Sequence, residues 1–262
     1  MKIYALMENI SHDECLACEH GLSLYIEADG KKILFDTGAS ENFAANAEKM
    51  GVDLKAVDFA AISHGHYDHG GGLAKFIEIN DHAPIYISNK GFNQYYSGTD
   101  FNVSIPEGLE GNPRFVLTSE PIKLSENITL LNCNDREAKY FADPYGLNKL
   151  VDGEFIPDDF LHEQYLIIKE NGKRIVISGC SHKGILNIME WLKPDILIGG
   201  FHFFRLTTEG EDAAILDKSA AILNEYGATY YTCHCTGTEQ YEYLKAQMPK
   251  LNYIATGDVI EF

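Results

Sequence analysis

Three histidines and an aspartate fall within six residues in Ser63-His64-Gly65-His66-Tyr67-Asp68-His69-Gly70. Imidazole nitrogen suits zinc, iron and manganese, and a carboxylate adds the negative charge that balances a cation. His64 and His66, at i and i+2 of an extended segment, face the same way and can grip one ion. Asp68 and His69 lie past the turn, where they can face a second ion or hold a water. Gly65 and the run Gly70-Gly71-Gly72 let the backbone pass close to such a site.

The cluster must sit where a strand gives way to a helix, because the apolar run Phe59-Ala60-Ala61-Ile62 precedes it. Upstream, Lys2–Met7, Ser23–Glu27 and Lys32–Phe35 read as short strands, with Asp29-Gly30 as the hairpin turn between the last two. Glu41–Met50 and Leu73–Ile79 read as helices, and Pro84–Ser88 as a strand. Residues 92–113 show poor periodicity and predict an irregular insertion, a lid or substrate loop, and 135–159 read as a second loop. Phe115–Leu117, Ile122–Leu124 and Ile128–Leu131 read as short strands between the two.

From Gln164 onward strand and helix alternate. Two sheets, each covered by helices on its outer face, account for that order, which predicts one α+β domain over residues 1–262. Three of the predicted strands end in a histidine: His182 in Ser178-Gly179-Cys180-Ser181-His182, His202 in Gly199-Gly200-Phe201-His202, and His234 in Cys233-His234-Cys235. All three are expected at the sheet edge that carries the first cluster, and all three are candidate ligands. His12, His20, His82 and His162 lack that placement, although Glu19-His20-Gly21 can reach the rim.

The chain has 262 residues, 45% hydrophobic and 23% charged, the composition of an ordinary globular protein. A formal net charge of −18 argues against long nucleic acids as partners, since phosphate contacts need Lys and Arg. An anionic small molecule stays compatible, because bound metal supplies local positive charge. The stretch Met1–Asn9 lacks a signal-peptide core and no apolar run is long enough to span a membrane, so a cytoplasmic location is expected. The six cysteines, Cys15-Leu16-Ala17-Cys18 included, then read as reduced thiols.

His64-Gly65-His66-Tyr67-Asp68-His69 matches the H-x-H-x-D-H signature of the metallo-β-lactamase superfamily, which this chain resembles. The resemblance implies a four-layer αββα sandwich with one or two transition-metal ions at one sheet edge, zinc foremost, with iron or manganese as alternatives. It also implies a metal-bridging aspartate after Gly179, where this chain has Cys180, so thiolate ligation is one reading of that position. Asp36 reads either as a carboxylate behind the ligands, as in many members, or as a plain strand-to-helix turn. Glu19–Ser23, Leu34–Gly38, Ser178–Ile185 and Gly199–His202 are together similar to the 7,8-dihydropterin-6-yl-methyl-4-(β-D-ribofuranosyl)aminobenzene 5′-phosphate synthase branch.

These readings predict a metal-dependent hydrolase or pterin-type transferase acting on a small, phosphorylated or heteroaromatic substrate. The expected mechanism starts from a metal-bound water whose pKa falls from about 15.7 towards 7. Asp68 is the expected catalytic residue, orienting or deprotonating that water. No organic cofactor is expected, and Tyr95, Tyr96 and Phe101 of the insertion either stack on a flat substrate or anchor their own loop. Two other classes compete: a non-catalytic metal- or ligand-binding module, and an iron redox protein of the flavodiiron type. The latter usually carries a Glu in the motif, where Tyr67-Asp68 stands here.

Overall fold

A computed structural model describes all residues, Met1–Phe262. Two seven-stranded sheets form its centre. The first runs, edge to edge, Val259–Glu261, Lys2–Met7, Ser23–Ala28, Lys31–Phe35, Phe59–Ala61, Ile85–Ser88 and Phe115–Thr118. The second runs Leu251–Tyr253, Thr229–Thr232, Ile196–Ile198, Lys173–Ile177, Tyr165–Glu170, Ile128–Leu131 and Ile122–Lys123.

Alternation along single strands decides which face meets which layer. Ile33 and Phe35 bury into a cluster shared with Ile175, Ile177, Ile196 and Ile198 of the other sheet. Leu34, between them, turns outward to Phe43 and Phe76 on helices Asn42–Lys49 and Leu73–Ile79. Val176 and Leu197 likewise face away from the sheet–sheet interface. They pack on helices Ile185–Leu192, Gly210–Glu225 and Thr238–Lys245. A strand side chain changes face with every residue, so this pattern yields the expected four layers, helix on sheet on sheet on helix.

Part of each sheet is parallel: Lys31–Phe35 through Phe115–Thr118 in one, Lys173–Ile177 through Leu251–Tyr253 in the other. Their carboxyl ends emerge at a common edge, where ligands of such sheets gather. The segments after Ala61, Ile177, Ile198 and Thr232 carry the candidate histidines to that edge.

The two segments expected as loops differ from that expectation. Tyr95–Ser97 and Phe101–Asn102 join Leu147–Val151 and Glu154–Pro157 in a third, four-stranded sheet. Leu147 pairs with Ser97 and Lys149 with Tyr95, a register between segments too far apart for local periodicity to reveal. This small sheet leans on the loop His64–Gly70, since Tyr67 N donates to Val103 O at 2.8 Å and Ile105 N to Gly65 O at 3.2 Å. No helix is long and apolar enough to cross a membrane, and all six cysteines are free thiols.

Candidate metal centre

The loop after Phe59–Ala61 is pressed between neighbours on both sides. A Cβ on Gly65 would stand 2.5 Å from Gly91 O, and one on Gly71 2.2 Å from Ala39 O. Only glycine fits either position, and the tight passage swings His64, His66, Asp68 and His69 towards the second sheet.

His64, His66 and His182 converge as one buried group. The Nε2 atoms of His64 and His182 face each other at 3.2 Å. Ser63 Oγ donates to Asp36 Oδ2 at 2.7 Å, so it accepts from His64 Nδ1 at 2.8 Å. His64 Nε2 therefore carries the lone pair. Burial pushes His64 and His182 well below the ordinary imidazole value, and His66 down to about 3.

Asp68, His69, Cys180 and His234 form the second buried group. His69 Nε2 lies 3.2 Å from His234 Nε2 and 3.1 Å from Cys180 Sγ. His69 Nδ1 donates to Asp36 Oδ2 at 2.7 Å, and His234 Nδ1 to Asn9 Oδ1 at 2.7 Å, so both rings turn Nε2 into the group. Burial opposes the charge of His69, but Asp36 and Asp68 hold it above the ordinary imidazole value. Asp68 Oδ2 stands 3.2 Å from His234 Nε2 and 3.3 Å from His20 Nε2. Burial works against its charge, but His69, His20 and His234 outweigh it and hold the carboxyl well below its usual range. Burial and the neighbouring Cys235 push the Cys180 thiol well above its ordinary value, so it reaches the thiolate only beside a cation.

The sequence model of the metallo-β-lactamase superfamily matches residues 17–202, more than half of the chain. The chain belongs to that superfamily. It is 30% identical to a Methanocaldococcus jannaschii protein named 7,8-dihydropterin-6-methyl-4-(β-D-ribofuranosyl)-aminobenzene-5′-phosphate synthase, over 90% of this chain and 88% of the relative. The crystal structure of Tm1679, described as a metal-dependent hydrolase of the β-lactamase superfamily, superposes with a TM-score of 0.83 at 28% identity. That match covers 100% of this chain and 99% of Tm1679. YhfI from Bacillus subtilis, a metallo-β-lactamase fold protein, shares the fold at a TM-score of 0.61 and 14% identity, covering 100% of this chain and 99% of YhfI.

Superfamily members typically bind metal ions, and the donor chemistry here fits such an ion. In each group two imidazole Nε2 atoms face each other at 3.2 Å, and a shared cation would satisfy both at once. His66 Nε2 and His182 Nδ1 are buried without any hydrogen-bond partner. A second row of groups orients the first. Asp36 accepts Ser63 N at 2.6 Å, Ser63 Oγ and His69 Nδ1, and so acts on both donor groups at once. Glu163 Oε1 accepts His182 N at 2.6 Å, and Glu8 accepts His234 N.

His202 was a candidate ligand, and the structure brings it into neither donor group. Its backbone takes a φ of 55°, and its ring stands 4.3 Å from the His182 ring and 5.6 Å from that of Tyr145. It thus stands beside His182 and shares a cavity with His66, Asp68 and Cys180 without joining either donor group. His20 reaches the rim through Asp68, half exposed. Of the insertion aromatics, Tyr95 stacks on His162 at 4.0 Å, Tyr96 packs on Phe155 and Phe101 on Tyr67.

His162 and Asp158 escaped the sequence reading. His162 Nδ1 accepts Gly65 N at 2.8 Å, so its protonated Nε2 donates to Asp158 Oδ2 at 3.0 Å. That same oxygen lies 3.9 Å from His66 Nε2, so the pair adjoins His66, and His66, Asp158 and His162 form a further buried group. Although burial opposes its charge, the His162 hydrogen bond holds Asp158 below its ordinary value. We predict that Asp158→Asn, which keeps the shape and removes the charge behind His66, weakens metal binding about 10–100-fold. Competition against a chromophoric chelator measures this, and an unchanged affinity would reduce the pair to packing.

Proposed function

We propose that this chain is a metal-dependent enzyme that hydrolyses, or transfers a group on, a small phosphorylated or heteroaromatic substrate. The observation that carries the reading is Asp68: its carboxylate adjoins His69 and His234 of one donor group and lines a cavity with His66 and His182 of the other. Bound transition metal, zinc first among the candidates, supplies Lewis acidity and acidifies water at neutral pH. His64, His66 and His182 would hold one ion, and Asp68, His69, Cys180 and His234 a second.

Asp68 is ionised at neutral pH, so it can accept or orient the proton of an attacking group. His20, 3.3 Å away and 48% exposed in its side chain, links Asp68 to the solvent-facing rim. Transfer rather than hydrolysis is the second reading, supported by the synthase name of the M. jannaschii relative. The substrate is read as a small molecule, with neither long nucleic acid nor membrane as partner. A cytoplasmic location is supported by six free cysteines.

Elemental analysis after chelator-free purification is expected to find about one to two equivalents of transition metal per chain. A panel of phosphoesters and pterins, assayed with and without an acceptor amine, then separates hydrolysis from transfer. Less than about a tenth of an equivalent, with none regained on reconstitution, would sink the reading.

A further inference from the structure

Two cavities meet at His182 and His202, which line both. The smaller, about 200 Å³, holds His66, Asp68 and Cys180 of the donor groups, and Arg205 on its wall. The larger, about 410 Å³, opens on the other side of the two histidines. Its apolar wall includes Phe141, Tyr145, Phe201, Phe203 and Leu206, and its volume falls in the range of small-molecule sites.

The charged groups differ between the two. The larger cavity has Asp143, Asp212 and Lys218, two negative charges against one positive, a balance of −1 apart from the histidines. Asp143 Oδ1 accepts Tyr145 N at 2.7 Å and Asp212 Oδ2 accepts Thr207 N at 2.9 Å. The other oxygen of each carboxylate takes no hydrogen bond from the protein. Acceptors with spare capacity among aromatic walls suit a flat ring that carries N–H or amino donors, and they repel a phosphate. In the smaller cavity Asp68 and Arg205 balance to zero apart from the histidines, and Arg205 meets Ser97 Oγ at 3.4 Å and the Phe204 ring without pairing to the Asp68 carboxylate. Its planar fork suits an anionic oxygen group beside the metal ligands.

We propose that the substrate is held in two halves on either side of His182 and His202. A donor-bearing heteroaromatic ring lies in the larger cavity against Asp143 and Asp212, and an anionic group lies beside Arg205 in the smaller. Ile215, which lines the larger cavity from helix Gly210–Glu225, and Arg205 thus determine specificity for different halves. The inference rests on the proposed function, because it assumes that the donor groups carry the reaction.

The test uses the full chain, metal-depleted, and two probes: 6-hydroxymethylpterin, a fluorescent amino-substituted ring without phosphate, and phenyl phosphate, followed by calorimetry. Ile215→Arg alters a side chain that is 46% exposed, so the fold should tolerate it. It is expected to weaken the pterin about tenfold or more, and Asp143→Asn about threefold or more, while Arg205→Ala changes it less than about twofold. For phenyl phosphate the order reverses, with Arg205→Ala weakening it about tenfold. No pterin binding below about 1 mM, or equal effects of Ile215→Arg and Arg205→Ala on one probe, would overturn the two-half arrangement. Pterin binding with this pattern but no turnover of any panel compound upholds the arrangement and removes the catalytic reading. Turnover of a pterin substrate indifferent to Ile215→Arg upholds catalysis and overturns the arrangement.

Discussion

Asp68→Asn is expected to fold, to keep metal on the His64, His66 and His182 side, and to lose roughly two or more orders of magnitude in turnover. Asparagine keeps the shape of the side chain but removes its negative charge and its basicity. Asp68 Oδ2 lies 3.2 Å from His234 Nε2 and 3.3 Å from His20 Nε2, and no other carboxylate belongs to the two main donor groups. A proton leaving an attacking group has no comparable destination once that charge is gone. The fold should survive, because the Asp68 side chain pairs only with His20, His69 and His234 and holds no strand in register. Turnover, metal content and melting temperature should be measured on one preparation once a substrate is found. Near-wild-type turnover with full metal would remove Asp68 from catalysis, and joint loss of metal and stability would mark a structural site.

Asp36→Ala should have the largest effect on the protein as a whole. Asp36 is fully buried and accepts from Ser63 N, Ser63 Oγ and His69 Nδ1. Alanine leaves three buried donors without a partner, which costs about 3–5 kcal/mol of folding stability by analogy with broken buried networks. His69 and, through Ser63, His64 lose their fixed tautomers, so both donor groups should lose metal affinity together. Urea unfolding and metal content measure the two effects. Destabilisation under about 1 kcal/mol with metal retained would show that packing alone orients these rings.

Local pattern determined a good deal about this protein. The strand Phe59–Ala61, the glycines and the spacing of His64, His66, Asp68 and His69 act over a few residues, where side-chain direction follows from backbone period. The alternation of strand and helix after Gln164 was legible for the same reason, whereas the four-layer sandwich followed from the resemblance of the histidine motif to the superfamily. The second carboxylate–histidine pair was not. His162 reaches Gly65 across 97 residues of chain, and no periodicity encodes a contact that depends on two sheets closing face to face. The third sheet was hidden likewise, since its short strands pair between residues 95–102 and 147–157.

His202 shows the boundary most sharply. In sequence it resembles His182, a histidine shortly after a buried strand and a glycine. The turn after Ile198 and the left-handed backbone at His202 place its ring next to that of His182 but outside both donor groups. Residue type and spacing thus determined which chemistry this chain can perform and at which sheet edge. Only the tertiary structure decided which imidazoles face one another, which carboxylate stands behind each, and which histidine lies between two cavities. Those outcomes depend on positions converging from distant segments to within about an ångström, a precision that sequence spacing alone does not carry.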